Sequence, residues 1–176
     1  MTLRNCAQYA LFNYFIALND FKTAYSVRDQ YHTSKWVAMD GGAPMSLFPL
    51  IIHDLTKGKY QAHVTIKQQQ LPEDNTEDLT SLLDLDNDKI ASARQQCSDK
   101  VIYSENLEFD FPSILMTYRR GVPKSGHLIL MKNKSFYESN QWTERCVRFP
   151  DDLPGEIFGT IKITKAPFSL FGLQIY

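Results

Sequence analysis

The chain has 176 residues, of which 43% are hydrophobic and 22% charged, with 19 basic against 20 acidic side chains and a formal charge of −1. This length fits one domain over residues 1–176 that buries a continuous core without crosslinks. The neutral balance argues against a nucleic-acid binder, which carries a basic excess, and no apolar run reaches the about 18 residues of a membrane span. The start MTLRNCAQ lacks the charged-then-apolar pattern of a signal peptide. Cys6, Cys97 and Cys146 are the three cysteines, an odd set that cannot all pair, which predicts a reducing, cytoplasmic setting.

Cys6 to Leu18 reads CAQYALFNYFIAL, free of Gly and Pro and apolar on almost every side. Such a segment is a central, buried helix, with Asn5 as its N-cap and Asn19 as its stop. A second, less apolar helix is expected from about Asp20 to Gln30. Met39 to Pro44 (MDGGAP) is a turn by composition, and a short helix over Met45–Leu55 follows. Lys57-Gly58-Lys59 breaks the chain before a strand over Tyr60–Lys67.

Leu71 to Asp88 carries seven acidic residues and no Lys or Arg. It reads as an acidic insert, a solvated loop or a loop with a helix, closed by a helix over Asn87–Cys97. Its Asp84, Asp86 and Asp88 start like a calcium loop, but Lys89 stands where Gly belongs and Gln95 where Glu belongs. Strands are expected over Ser113–Tyr118, His127–Met131, Ser135–Asn140, Cys146–Phe149 and Ile157–Thr164. Helices first and a mainly antiparallel sheet afterwards make the fold class α+β. The apolar tail, Ala166 to Tyr176, is expected to dock on the body.

The candidate chemistry starts from Cys6. A cysteine in the first turn of a helix gains thiolate character from the helix dipole and the free backbone N–H groups. A histidine within reach lowers the thiol pKa further and later protonates the leaving group; a third polar group fixes the imidazole tautomer. His127 begins a strand after a glycine-containing loop. Counting back across a turn centred near Asn133 pairs it with about position 139, so Glu138 and Asn140 end the returning strand beside it.

The start NCAQYALFNYF resembles the nucleophile helix of Josephin-type deubiquitinases and other small bacterial thiol hydrolases, and SGHLILMKNKSFYESN resembles their histidine hairpin. The layout as a whole is similar to a compact papain-like cysteine peptidase. That resemblance implies Cys6 as nucleophile, His127 as base and acid, and Asn140 as orienting residue, with Glu138 as second choice. It covers about 30 residues of the 176. The family places a Gln before the Cys as oxyanion donor, whereas Met1 to Asn5 contain none. The Cys6 backbone N–H, with Asn5 or Gln8 as side-chain donor, is the substitute expected here.

The expected activity is hydrolysis of an amide or isopeptide bond in a protein or peptide through an acyl-thioester. Ubiquitin-like modifiers are one substrate class, and an injected bacterial effector is one setting. Glutamine deamidation, acyl transfer and peptidoglycan amide cleavage share the same nucleophile. The other reading is a non-catalytic interaction domain on the same fold. No HxH, HExxH or CxxC spacing occurs, so no metal or cofactor is expected. Cys97, Cys146, His32, His53 and His63 are read as structural or incidental.

Overall fold

The computed structural model describes residues 6–39, 41–67, 76–109, 112–118, 126–132, 135–138, 145–147, 156–170 and 173–175. Five α-helices, two short 3-10 helices (Tyr31–Thr33 and Met45–Leu47) and nine strands lie along these residues. The α-helices and strands are α1 (Cys6–Ala17), α2 (Phe21–Gln30), α3 (Phe48–Thr56), β1 (Tyr60–Ile66), α4 (Thr76–Leu83), α5 (Asn87–Cys97), β2 (Val101–Tyr103), β3 (Ser113–Tyr118), β4 (Gly126–Lys132), β5 (Ser135–Glu138), β6 (Arg145–Val147), β7 (Ile157–Lys165), β8 (Phe168–Leu170) and β9 (Leu173–Ile175). The class is α+β.

α1 is buried at every position from Ala7 to Phe15 except Tyr9, which is half-buried. Burial all round its axis is what its uniformly apolar sequence demands. Asn19 ends it in the left-handed region, at φ 58°. From there the Asp20 N–H reaches back to the Phe15 carbonyl at 2.9 Å and the Asn19 N–H to Ile16 at 3.0 Å. These are the two bonds of a Schellman cap, with Asn in place of the usual Gly. Asp20 then caps α2 by accepting from the Thr23 N–H. α3 closes in the same way on Lys57 (φ 52°), with Gly58 bonded back to His53.

The strands form a seven-stranded mixed sheet in the order β2-β1-β7-β3-β4-β5-β6. Only β1 and β2 run parallel; the other neighbours are antiparallel. A parallel pair needs a long crossover, and the acidic segment supplies it, since α4 and α5 lie between β1 and β2. That segment is therefore part of the fold rather than a loop excursion alone. β2 was not among the expected strands; its three residues are too few to show a period. The tail forms a separate pair, β8 with β9.

One large core joins α1, α2, α3 and one face of the sheet. It includes Leu11, Phe15, Ile51, Val64, Ile114, Met116, Leu128, Leu130 and Ile161. A smaller cluster of Leu115, Ile129 and Met131 lies apart from it. At Gly159, between β1 and β3, an added Cβ would lie 2.0 Å from the Met116 methyl and 2.7 Å from the Thr65 carbonyl oxygen. The methionine can swing away, but the strand backbone cannot. Gly159→Ala is therefore expected to cost about 1–3 kcal/mol, the usual range for forced overpacking, measured by urea unfolding. An unchanged midpoint would show that the strands yield.

Candidate functional site

Cys6 is the first residue of α1 and is half-buried. Its side chain packs against the large core. Two residues on, the buried Gln8 side chain donates from Nε2 to the Arg28 carbonyl at 2.7 Å. That bond ties the first turn of α1 to the last turn of α2. Of the Gln8 amide, expected as an oxyanion donor, one N–H serves a helix–helix contact and satisfies a carbonyl that α2 leaves open at its C-terminal end. Asn5 lies outside the described residues.

Tyr31 follows α2 directly. It is fully buried, and its hydroxyl donates to the Gly41 carbonyl at 3.4 Å. Burial first, and the electrostatic influence of Cys6 second, hold its phenol well above the ordinary value. Nothing in the local sequence RDQYHT marked this residue. The Gly-Gly turn closes on itself, with Ala38 N–H to Gly42 and Gly41 N–H to Ala38, both at 2.8 Å, and Gly41 at φ 85°.

His127 is the second residue of β4, is 1% exposed, and pairs with Thr117 of β3. The Thr117 hydroxyl donates to the His127 carbonyl at 3.4 Å. Successive strand residues point to opposite faces. Leu128 and Leu130 belong to the core that includes α1, whereas Ile129 and Met131 belong to the other cluster. His127 therefore shares the face of Ile129 and Met131, away from α1. α1 packs against β4, so the structure brings together the elements that carry Cys6 and His127, but the register does not turn His127 toward Cys6.

The hairpin register also differs by one residue from the mirror count. Lys132 pairs with Ser135 and Ile129 with Glu138, because Lys132 continues the strand instead of entering the turn. Glu138 is placed by its pairing with Ile129 and Arg145, and Asn140 lies outside the described residues.

Cys97 is buried, and burial pushes its thiol up despite a hydrogen bond from the Leu50 backbone. It is an inert core thiol. Cys146 lies in β6 opposite Tyr137. Neither Cys6 nor Cys97 is in a disulfide. Among the described residues no group of three or more His, Cys, Asp or Glu could hold a metal ion, and no helix is long and apolar enough to cross a membrane. Asp86, from the calcium-like run, accepts from the Lys89 N–H and caps α5.

Among the described residues, two surface clefts accompany this arrangement. One, of about 440 Å³, is lined by Leu18, Asn19, Asp20, Lys59, Tyr60, Ile163 and Lys165. It sits at the far end of α1, about 16 Å from Cys6 at 1.5 Å per residue. The other, of about 330 Å³, lies between Trp36 and α5. Neither is lined by Cys6 or His127. Comparison of the chain with family models, curated proteins and solved structures finds no match.

Proposed function

We propose that the chain is a cysteine-dependent hydrolase of compact papain-like type, cleaving an amide or isopeptide bond through an acyl-thioester on Cys6. The observation that carries this reading is the place of Cys6 in the first turn of a buried helix packed on β4, the strand that bears His127. A helix N-terminus favours the thiolate, and an antiparallel hairpin after the nucleophile helix is where the papain-like order puts its base. In the proposed cycle the thiolate adds to the acyl carbon, forming C–S, and the π pair moves to oxygen. Collapse re-forms the carbonyl and breaks the C–N bond, and the amine leaves with a proton from the His127 imidazolium, which requires β4 to slip by one residue and turn that face toward Cys6. Water then hydrolyses the thioester and restores the thiol. Such an enzyme works where thiols stay reduced, in the cytosol of its own cell or of a host that receives it. Ubiquitin-like modifiers are the first substrate class to try.

A second reading, a non-catalytic interaction domain of the same architecture, is favoured by the alternation of β4. His127 as base must reach Cys6 from the far face, and in a strand only a one-residue slip exchanges the faces.

The test uses fluorogenic peptide amides and ubiquitin carrying a C-terminal electrophile. On the hydrolase reading, Cys6→Ala abolishes turnover and adduct, His127→Ala lowers turnover by about 10²-fold or more, and Cys97→Ala stays within about twofold, as expected of a residue outside the site. Absence of any Cys6-dependent product or adduct would establish the second reading. Equal losses in the Cys6 and Cys97 variants would trace the effect to stability.

A further inference from the structure

We infer that the cleft at the far end of α1 binds a small organic acid with one carboxylate and an apolar body. Such binding does not depend on the chemistry of Cys6. The cleft has a volume of about 440 Å³, within the range of small-molecule sites. Leu18 and Ile163 give it an apolar lining, and Asp20, Lys59, Tyr60 and Lys165 a polar one.

The fold puts both lysines at one end of the β1–β7 ladder. Lys165 pairs with Tyr60, so the two side chains share a face, and the Ala166 N–H bonds to the Lys59 carbonyl at 2.9 Å. The Lys59 ammonium is turned to Asp20. Lys165 is exposed, and among the described residues no acidic side chain pairs with it.

Asp20 is fixed as an anion. Burial pushes its carboxyl up, but hydrogen bonds from Lys59, Tyr60 and Thr23 outweigh burial and hold it well below the usual range. Two ammonium groups against one carboxylate leave the cleft with one positive charge. A ligand carboxylate can take Lys165 without drawing Lys59 from Asp20. A phosphate monoester would bring further charged oxygens with no donor left for them, and these are costly to dehydrate. An amine would meet Lys165 as a like charge. The Tyr14, Phe15 and Ile16 carbonyls at the end of α1 are taken by the N–H groups of Leu18, Asp20 and Asn19, so they present no bare acceptors to an anion. Leu18, 37% exposed, loses water under an apolar ligand body.

The experiment is an NMR titration of the intact protein with butanoate, hexanoate and octanoate, read at the backbone amides. Saturable shifts are expected at Tyr60 and Lys165, with affinity rising by up to about fourfold per added methylene. Lys165→Met keeps the stem and removes the charge. It should weaken octanoate binding about fivefold, the upper range for an exposed ion pair. Asp20→Asn keeps an acceptor for Tyr60 and removes the competing anion, so it should strengthen octanoate binding by about twofold to fivefold. Opposite shifts from the two variants exclude a merely structural effect, and the surface change Lys165→Met carries the test if Asp20→Asn fails to fold. N-acetyl-alanyl-leucine, which carries the same carboxylate as a peptide C-terminus, should bind more weakly than hexanoate, because its amides lose water against Leu18 and Ile163. Tighter binding of that peptide would overturn the assignment to a free acid. Octyl phosphate binding tighter than octanoate would overturn the choice of carboxylate, and octylamine binding as tightly would overturn the selection by charge. No saturable shift, or shifts centred on Trp36 and α5, would overturn the site itself.

Discussion

Phe15→Ala is expected to lower the unfolding free energy by about 3–5 kcal/mol, the range for an aromatic ring removed from a closed core. Phe15 is fully buried on α1, with its ring 5.0 Å from Tyr60 and 5.7 Å from Tyr14. The void cannot collapse easily. α1 is held at its far end by the Schellman cap on Asn19, and at its near end by the Gln8–Arg28 bond. Tyr14 is tethered by its hydroxyl to the Ile163 carbonyl at 2.8 Å. Domains of this kind are stable by only about 5–15 kcal/mol, so urea unfolding should show loss of a large share of the total. A cost below about 1.5 kcal/mol, that of a tolerated core swap, would show that α1 repacks and is not the rigid platform that a site on its first residue needs. The variant should also blunt any special reactivity of Cys6, because the first turn is positioned by the packing of the rest of the helix.

The helical half was readable in the sequence because its signals are local. CAQYALFNYFIAL has no breaker and no polar face, Asp20 offers a capping carboxylate three residues before Thr23, and Lys57-Gly58 ends α3 where two left-handed residues are needed. β1 was readable because it alternates, with Tyr60, Ala62, Val64 and Ile66 buried between half-buried neighbours. β2 was not: its residues are half-buried or exposed, and its place is set by a parallel pairing 37 residues away (Val64 with Val101). Composition likewise concealed that the acidic segment bridges β1 and β2.

The candidate site divides in the same way. The position of Cys6 follows from where α1 starts. The orientation of His127 does not follow from its sequence, because HLILM is buried at every residue from His127 to Met131. A strand covered on both faces has no polar alternation, so nothing in it says which of its two faces turns toward α1. Only the three-dimensional packing puts Leu128 and Leu130 on the side of the large core, and Ile129 and Met131 on the other. Gln8 is ambiguous for a related reason: a glutamine two residues from a helix start suits an oxyanion donor or a helix–helix tie, and the tie needs Arg28, twenty residues on.

Replacing Asp20 should reshape the stability of the protein at both ends of the pH scale. Its carboxylate caps α2 through Thr23, accepts from the Tyr60 hydroxyl at 2.8 Å and pairs with Lys59. Burial alone would push the carboxyl up. The hydrogen bonds from Lys59, Tyr60 and Thr23 outweigh it and hold the carboxyl well below the usual range. In Tyr60 burial comes first and the bond to Asp20 second, and together they push its phenol up to about 12. A depressed carboxyl stabilises the fold above its unfolded value near 3.9 and loses that contribution as the pH falls below it. A raised phenol stabilises below its unfolded value near 10 and loses that contribution as the pH climbs to about 12. Between those limits both contributions are complete. Asp20→Ala removes a cap, usually about 1 kcal/mol, and strands the hydroxyl of a buried tyrosine, about 1–3 kcal/mol more. The expected loss on the plateau is therefore about 2–4 kcal/mol. Asp20→Asn keeps a capping oxygen and an acceptor for Tyr60 but cannot ionise, so it should lose less on the plateau and flatten the acid limb. Urea unfolding of the three proteins at several pH values separates these effects. If the difference between wild type and Asp20→Asn stays constant from neutral pH down through the carboxylate range, the charge of Asp20 contributes nothing. The cluster would then hold α1, α2 and β1 together by hydrogen-bond geometry alone.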